Sequence, residues 1–493
     1  MTSEYKKLTL HEQIVKRPET YVGSISQECF PMYGWEDKMV YREMMYVPGL
    51  YKLFDELLVN ALDNQQRCDN MRVLNVCITD RFFTIENDGD TIPVEKHEKH
   101  DCWLPEMCFG QLLTSNNYDD TEKRTTGGRN GYGAKLSNIF STRFQVNVQH
   151  GGRIFEGVWT NNMFDFEGSV VIKTKAKRSW TKIYCEPDVQ RFGCSSIHPD
   201  MIALMKRSVY DAAGITPKHV KVTLNGQCVP IKQFASYGAL YGKGMYFKLN
   251  ERWECVVMGV QDRPSLSFVN GICTPKGGTH VKALTQPVLR YIAKTITKRL
   301  GSIMITPTVV SEHVCFLINC VVENPTFDSQ CKETLTLKPT LFWSKPLWDD
   351  NMLKKTLKCG VEASLTEWVR ARSLQSMKNK TRIAGTRLTI PKLHDASKAG
   401  GVYSNKCCLL LTEGDSALSM AISWLSVVGR EYYGAFPLKG KLLNVRDASN
   451  KVILQNKEIN SILRILGLQI GSKDYSKMRY GSVMAMTDQD TDG

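Results

Sequence analysis

The chain has 493 residues, 42% of them hydrophobic and 23% charged. This composition excludes a disordered or collagenous protein, and the length calls for two to four domains whose cores need no disulfide or metal staple. A net charge of +14 favours a polyanionic partner, because neutralising phosphates releases counterions, although a basic solvated surface accounts for it equally well.

The first strong pattern is helical: Leu50, Leu53, Phe54, Leu57, Ala61 and Leu62 recur at helical spacing and predict a helix over Pro48–Cys68. Along one flank of this stripe stand Glu56, Asn60, Asp63 and Asn64, spaced i, i+4, i+7 and i+8. A carboxylate there can polarise water and an Asn oxygen is a hard ligand suited to Mg²⁺, yet polar residues on an amphipathic helix are usually only solvated. Two strands are predicted next, Val73–Thr79 and Phe82–Glu86, around a turn at Asp80 and Arg81. ENDGDTIP (Glu86–Pro93) then runs a strand into an acidic turn, where Asp88 is suited to accept a hydrogen bond from an adenine amino group; an ordinary Asp-Gly turn is the local alternative. TSNNYDD (Thr114–Asp120) precedes TTGGRNGYGAKLSNIFS (Thr125–Ser141), in which Gly127, Gly128, Gly131 and Gly133 let backbone N–H groups approach phosphate oxygens and Lys135 adds charge near a helix start. It is not a Walker A loop, because GxxxxGK[ST] is absent.

Beyond residue 228, the strand HVCFLINCVV mixes with helical stretches around 281–300 and 347–376. Lys294, Lys298 and Arg299 form a basic cluster that suits either DNA or the C-terminal end of a helix dipole. A polar, basic stretch, 377–405, contains PKLHDASKAGG and reads as a linker. After it, the apolar strands CCLLLT and SVMAMT alternate with helical segments, the pattern of a parallel α/β sheet. Glu413 follows the first strand and Asp488, Asp490 and Asp492 follow the second, so a parallel sheet gathers four carboxylates at its C-terminal edge, where a divalent ion relieves their repulsion. A DxDxDG run alone also resembles a calcium loop, but the EF-hand glycine comes at another spacing.

The order of these parts resembles the GHKL ATPases, and more closely the eukaryotic-type type IIA DNA topoisomerases, in which RPETYVGS, FDELLVNALDN, QLLTSNNYDD and TGGRNGYGAKLSNIFS have near-verbatim counterparts. SFVNGICTPKGGTH (267–280) and NPTFDSQCKETLTLKP (324–339) resemble that family's transducer, and EGDSA with DxDxDG resembles its TOPRIM domain. The resemblance implies an α/β, α+β multidomain chain. Residues 1–227 would be a GHKL-type α/β sandwich, 228–380 a transducer of ribosomal S5-like type, 381–405 a linker, and 406–493 a Rossmann-like TOPRIM sheet incomplete at its C-terminus. It further implies an ATP- and Mg²⁺-dependent homodimer that passes one DNA duplex through another. Its catalytic tyrosine would lie in a winged-helix region beyond Gly493, so none of the 19 tyrosines takes that role.

By the same resemblance Glu56 is the general base, Asn60 the ligand of ATP-bound Mg²⁺ and Asp88 the adenine contact. Asn64 would also bind ATP, Ser115, Asn116 and Asn117 would hold the nucleoside, and Gly128, Arg129, Asn130, Gly131, Tyr132, Gly133, Ala134 and Lys135 would wrap the phosphates. Gln330, Cys331 and Lys332 form the transducer loop, whose lysine offsets charge at the γ-phosphate. Glu413, Asp488, Asp490 and Asp492 would hold the metal acting on a DNA phosphodiester, and Lys298, Arg299, Lys439, Lys441 and Arg446 would contact DNA.

Three residues depart from the family pattern: Thr91 in place of a glycine, Cys331 in place of threonine and Leu418 in place of lysine. Thr91 would displace its loop if the position required positive φ. The alternative readings are an ATP-gated DNA clamp without cleavage activity in this chain alone, and another GHKL ATPase such as a chaperone or mismatch-repair protein. The 16 cysteines contain no Cys-x-x-Cys pair and read as reduced thiols of an intracellular protein. No apolar run reaches the ~20 residues that span a bilayer, and MTSEYKKLTL has no signal core or presequence. A soluble chain, nuclear first, with a mitochondrial genome or a viral factory as alternatives, is the expectation.

Overall fold

The computed structural model describes residues 7–114, 124–126, 131–261, 263–300, 304–380, 390–439, 444–445, 452–453, 456–468 and 474–487, with backbone alone for 373–380. The chain divides into two compact units, Met1–Ile296 with Ile305–Glu362 and Thr297–Met304 with Ala363–Gly493.

The first unit opens with α1 (Leu10–Lys16), whose capping box pairs the Thr9 hydroxyl with Glu12 N–H and the Glu12 carboxylate with Thr9 N–H. After α2 (Glu19–Val22), the hairpin β1 (Glu28–Glu36) and β2 (Lys38–Tyr46) turns at Asp37. Then comes α3 (Pro48–Arg67), with proline where an N–H would have no partner. All six apolar residues that predicted this helix are buried.

Next in the chain are β3 (Val73–Ile78), β4 (Phe83–Asp88), α4 (Leu104–Gly110), α5 (Gly133–Ile139), β5 (Ser141–His150), β6 (Arg153–Thr160), β7 (Asp165–Lys173), β8 (Trp180–Pro187), α6 (Pro199–Ile215), β9 (Lys221–Leu224) and β10 (Gln227–Cys228). The strands form one sheet in the order β10-β9-β3-β4-β8-β5-β6-β7, antiparallel except where β3 meets β9. Alternation along them sets the layers: Leu74, Val76, Phe83, Ile85, Phe144, Val146 and Val148 are buried beneath α3, α5 and α6, while the intervening residues face outward. This is a two-layer α/β sandwich. A domain boundary after residue 227 would cut β10 in half, and Val229 and Ile231 continue into the same core.

The chain continues through α7 (Phe234–Gly238), β11 (Met245–Asn250), β12 (Trp253–Met258), β13 (Leu266–Val269), β14 (Ile272–Cys273), α8 (Thr279–Leu300), α9 (Pro307–Glu312), β15 (Cys315–Cys320), α10 (Asp350–Thr356) and α11 (Val361–Lys380). A second sheet runs β11-β12-β15-β13-β14, and α8 buries Leu284, Val288, Leu289, Ile292, Ala293 and Ile296 at helical spacing. The strand foreseen in HVCFLINCVV is β15, the central strand of this sheet.

The second unit holds β16 (Cys408–Glu413), α12 (Gly414–Val428), β17 (Tyr433–Leu438), α13 (Lys457–Leu466) and β18 (Ser482–Met486). Its described strands run in the order β17-β16-β18, all parallel, as the sequence pattern required. The expected linker is corrected here. Residues 381–389 lie outside the described residues, but 390–405 fold onto this sheet. His394 bridges Ala435, Asp395 takes Arg479 and the Tyr480 hydroxyl, and Ala396 is buried with Cys407, Leu409 and Phe436. Its polar composition reflects backbone and side-chain hydrogen bonding within the fold rather than a free connector. All 16 cysteines are free, and among the described residues no helix is long and apolar enough to cross a membrane.

Candidate functional site

A cavity of about 810 Å³ lies between the sheet and the helices of the first unit. Glu56, Leu57, Asn60, Ala61, Asp63 and Asn64 line it from α3, and Ile85 and Asn87 from β4 with Thr181 and Ile183 from β8 form part of its sheet side. The opening turn of α5 supplies Gly131, Tyr132, Gly133, Ala134 and Lys135. That turn is fixed to α3 by the Ser137 hydroxyl, which donates to Leu53 O at 2.9 Å. Gly133 backs directly onto Glu56: a Cβ there would collide with Oε2. Gly131, at φ 65°, occupies a conformation that glycine adopts without a Cβ penalty.

Glu56 is 3% exposed, and it is surrounded by cations. Its Oε1 lies 2.9 Å from Lys52 Nζ and 3.6 Å from Lys332 Nζ, near enough for charge pairing but not aligned for a hydrogen bond. Burial pushes this carboxyl up, but Lys332 and Lys52 outweigh it and hold the group down at about 2. Lys332 comes from a loop between β15 and α10, more than 270 residues away in sequence, with φ 59° and its side chain buried. The loop is seated by backbone exchange: Asn324 N–H donates to Arg124 O, and Arg124 N–H to the Asn324 side chain. Gln330 joins Lys332 on the cavity wall; Cys331 is turned off it, half-buried toward Gly23.

Two expected contacts differ in placement. Asp88 does not face the cavity. Its Oδ1 accepts from the backbone N–H groups of Arg72 and Val73 at 2.7 Å each, and its Oδ2 pairs with Arg178 at 2.9 Å. Strand alternation explains this, since Ile85 and Asn87 point one way from β4 and Asp88 the other, so Asn87 is the residue presented to a ligand. Lys135 lines the cavity, but its ammonium is held by the carbonyls of Thr114 and Gly131, and burial lowers it to about 8. Asn64 spends its amide donor on Asp88 O. Thr91 causes no strain, because its φ is not positive; its hydroxyl donates to Gln149 O and contacts His150 Nδ1. Ser115, Asn116, Asn117, Gly128, Arg129 and Asn130 lie outside the described residues.

Several cavity residues escaped sequence reasoning. Asn87, Thr181, Ile183, Thr126 and His97 all line the wall. Strand alternation was the available signal for Asn87. Thr181 and Ile183 carried none, since β8 reaches the site only through sheet pairing.

In the second unit Glu413 ends β16, half-buried, immediately before α12. Asp415, two residues on, pairs with Lys392 at 2.6 Å on the surface. Asp488, Asp490 and Asp492 lie outside the described residues, as do Lys441 and Arg446. Lys298, Arg299 and Lys439 are exposed. Leu418 is buried with Leu410, Ala421 and Leu425, so a core side chain stands where the family carries a lysine.

Residues 46–187 match the family model of histidine kinase-, DNA gyrase B- and HSP90-like ATPases, and residues 243–382 match that of DNA gyrase B. The chain is 45% identical to a probable DNA topoisomerase 2 of Dictyostelium discoideum, 44% to DNA topoisomerase 2 of Pisum sativum and 42% to human DNA topoisomerase 2-alpha, in each case over 99% of its own length. It covers 33%, 35% and 34% of those proteins, so it spans about a third of the length of the curated relatives it matches. Among solved structures, the ATPase region of Saccharomyces cerevisiae topoisomerase II matches 74% of this chain and 99% of its own at 36% identity and a TM-score of 0.69. The ATPase and transducer domains of Balamuthia mandrillaris DNA topoisomerase II match 75% and 98% at 37% identity and a TM-score of 0.70. With a solved ATPase region covered almost end to end, and with a sandwich whose cavity is reached by a loop that follows the second sheet's central strand, the chain belongs to the DNA topoisomerase II family.

Proposed function

We propose that the chain is the ATP-operated part of a type IIA DNA topoisomerase, which couples nucleotide hydrolysis to passage of one DNA duplex through another. The sandwich through Ile231 serves as the ATPase domain, the second sheet and the helices after it, to residue 380, as the transducer, and the sheet from residue 390 onward as the TOPRIM domain. The partners are double-stranded DNA, a second copy of the chain through the ATPase domain, and a downstream winged-helix and tyrosine region; the setting is intracellular, with the nucleus foremost.

One observation carries the reading: Glu56 of α3 and Lys332 of the distant loop meet at the wall of a cavity sized for a nucleotide. The donor set suits a magnesium triphosphate. Asn60 presents an amide to the cavity, the Gly131–Lys135 turn presents backbone N–H groups at a helix start, and Asn87 offers an amide for a base edge. Mg²⁺, held through Asn60, would supply charge neutralisation between the phosphates.

The chain's own residues supply the rest. A carboxylate held at about 2 is ionised but a weak base, and Lys332 contributes to that suppression. A γ-phosphate competes for Lys332; once the ammonium turns to it, burial acts on Glu56 against Lys52 alone and its basicity rises. Hydrolysis is thereby conditional on nucleotide, and the lysine is delivered where negative charge develops. The test is Glu56→Gln in the purified chain: nucleotide binding is retained while turnover falls by roughly 10²- to 10⁴-fold. Wild-type turnover in that variant would remove Glu56 from the mechanism.

A further inference from the structure

Lys52 is a buried cation that the reading above leaves with no task of its own. It sits one turn before Glu56 on α3, 6% exposed and off the cavity wall. Its Nζ lies 2.8 Å from Asp55 Oδ2 and 2.9 Å from Glu56 Oε1, and donates to Cys331 O at 3.4 Å. The ammonium donates to two acceptors, a second carboxylate and the backbone of the loop that carries Lys332, and lies at charge-pairing distance from the proposed base. A buried lysine is costly unless paired, and Asp55 or Glu56 alone would pair it. The contact with Cys331 O therefore has a different consequence. It ties the base to the loop through a group one residue from Lys332, and the loop is further seated by Cys331 packing toward Gly23, at the end of α2.

We propose that Lys52 is a positioning residue that couples the seating of the Gln330–Lys332 loop to the orientation of the Glu56 carboxylate. With the loop docked, Cys331 O and Asp55 hold the ammonium in place, and the ammonium fixes Oε1. With the loop withdrawn, Lys52 loses one of its two hydrogen-bond acceptors and Glu56 loses Lys332, so the carboxylate is less constrained. This rests on Glu56 being the base, and the test separates the two claims.

The experiment measures kcat and KM for ATP, and binding of a non-hydrolysable ATP analogue, in the full chain carrying Lys52→Met, Lys332→Met, both together, and Glu56→Gln. Lys52→Met is expected to lower kcat by about 10- to 100-fold while analogue affinity stays within about 3-fold, because a misdirected base costs rate and not binding. Since both lysines act through one carboxylate and one loop, the double variant should be no worse than Lys332→Met by more than about 3-fold. Multiplied losses, or unchanged kcat in Lys52→Met, would overturn the proposal even with Glu56→Gln inactive and binding. Full turnover in Glu56→Gln would instead bring down the reading of the base. Should Lys52→Met not fold, Lys52→Leu, which likewise offers no donor to Cys331 O, carries the same cycle with the same criteria.

Discussion

The candidate sites of the two units handle charge in opposite ways. In the first, Glu56, Lys52, Lys332, Arg207 and Asp211 are all under 10% exposed and are matched against one another, Lys52 with Glu56 and Arg207 with Asp211 one turn apart on a helix and Lys332 with Glu56 from a distant loop. In the second, Asp415 and Lys392 pair on an open surface beside a half-buried Glu413. A buried carboxylate responds strongly to each nearby cation, because little water screens it; an exposed one does not. The first site is thus preset by the protein's own buried charges, whereas the described pair at the acidic edge is open to solvent and screened by it.

Four substitutions probe this contrast, from the largest expected effect to the smallest. Arg207→Met leaves Asp211 buried with only the Tyr237 and Tyr241 hydroxyls, and should cost about 3–5 kcal/mol of stability in denaturant unfolding. A loss below about 1 kcal/mol would mean the pair is no more than a surface one. Gly133→Ala drives a methyl into Glu56 and should reduce ATP turnover by about 100-fold, since an ångström of misplacement has that effect; wild-type kinetics would show that α5 and α3 do not share a working geometry.

Lys135 offers a pH test. Burial lowers it to about 8 from an ordinary 10.5, so between those values the unfolded chain keeps a proton that the folded chain has released. Stability should therefore rise with pH from about 8 to 10.5, by up to about 1.4 kcal/mol per unit from this group, and not below 8. Comparing the pH dependence of unfolding in wild type and Lys135→Met isolates the contribution; identical slopes would contradict the burial. Lys392→Met, finally, removes an exposed pair and should change stability by under about 1 kcal/mol.

How far the sequence could be read follows from where the signal lies. α3 was legible because its stripe, its polar flank and its site residues share one period within 20 residues. Asp88 was misplaced because a motif was read as a unit, while the backbone alternates and turns neighbouring side chains to opposite faces. The stretch 390–405 looked like a connector since its buried anchors are few and small, Ala396 foremost, and its hydrogen bonds go to partners far along the chain. Lys52 stood in plain view four residues before Glu56, yet its meaning depends on Cys331 O, a backbone atom 279 residues later whose position no local pattern reports.

The most direct test is a crystal structure of this chain with Mg²⁺ and a non-hydrolysable ATP analogue. The triphosphate should lie between α3 and α5, with the cation on Asn60 and Lys332 Nζ turned from Glu56, now 3.6 Å away, onto the γ-phosphate. An analogue bound outside the cavity, or Lys332 still paired with Glu56 beside a bound triphosphate, would contradict the account.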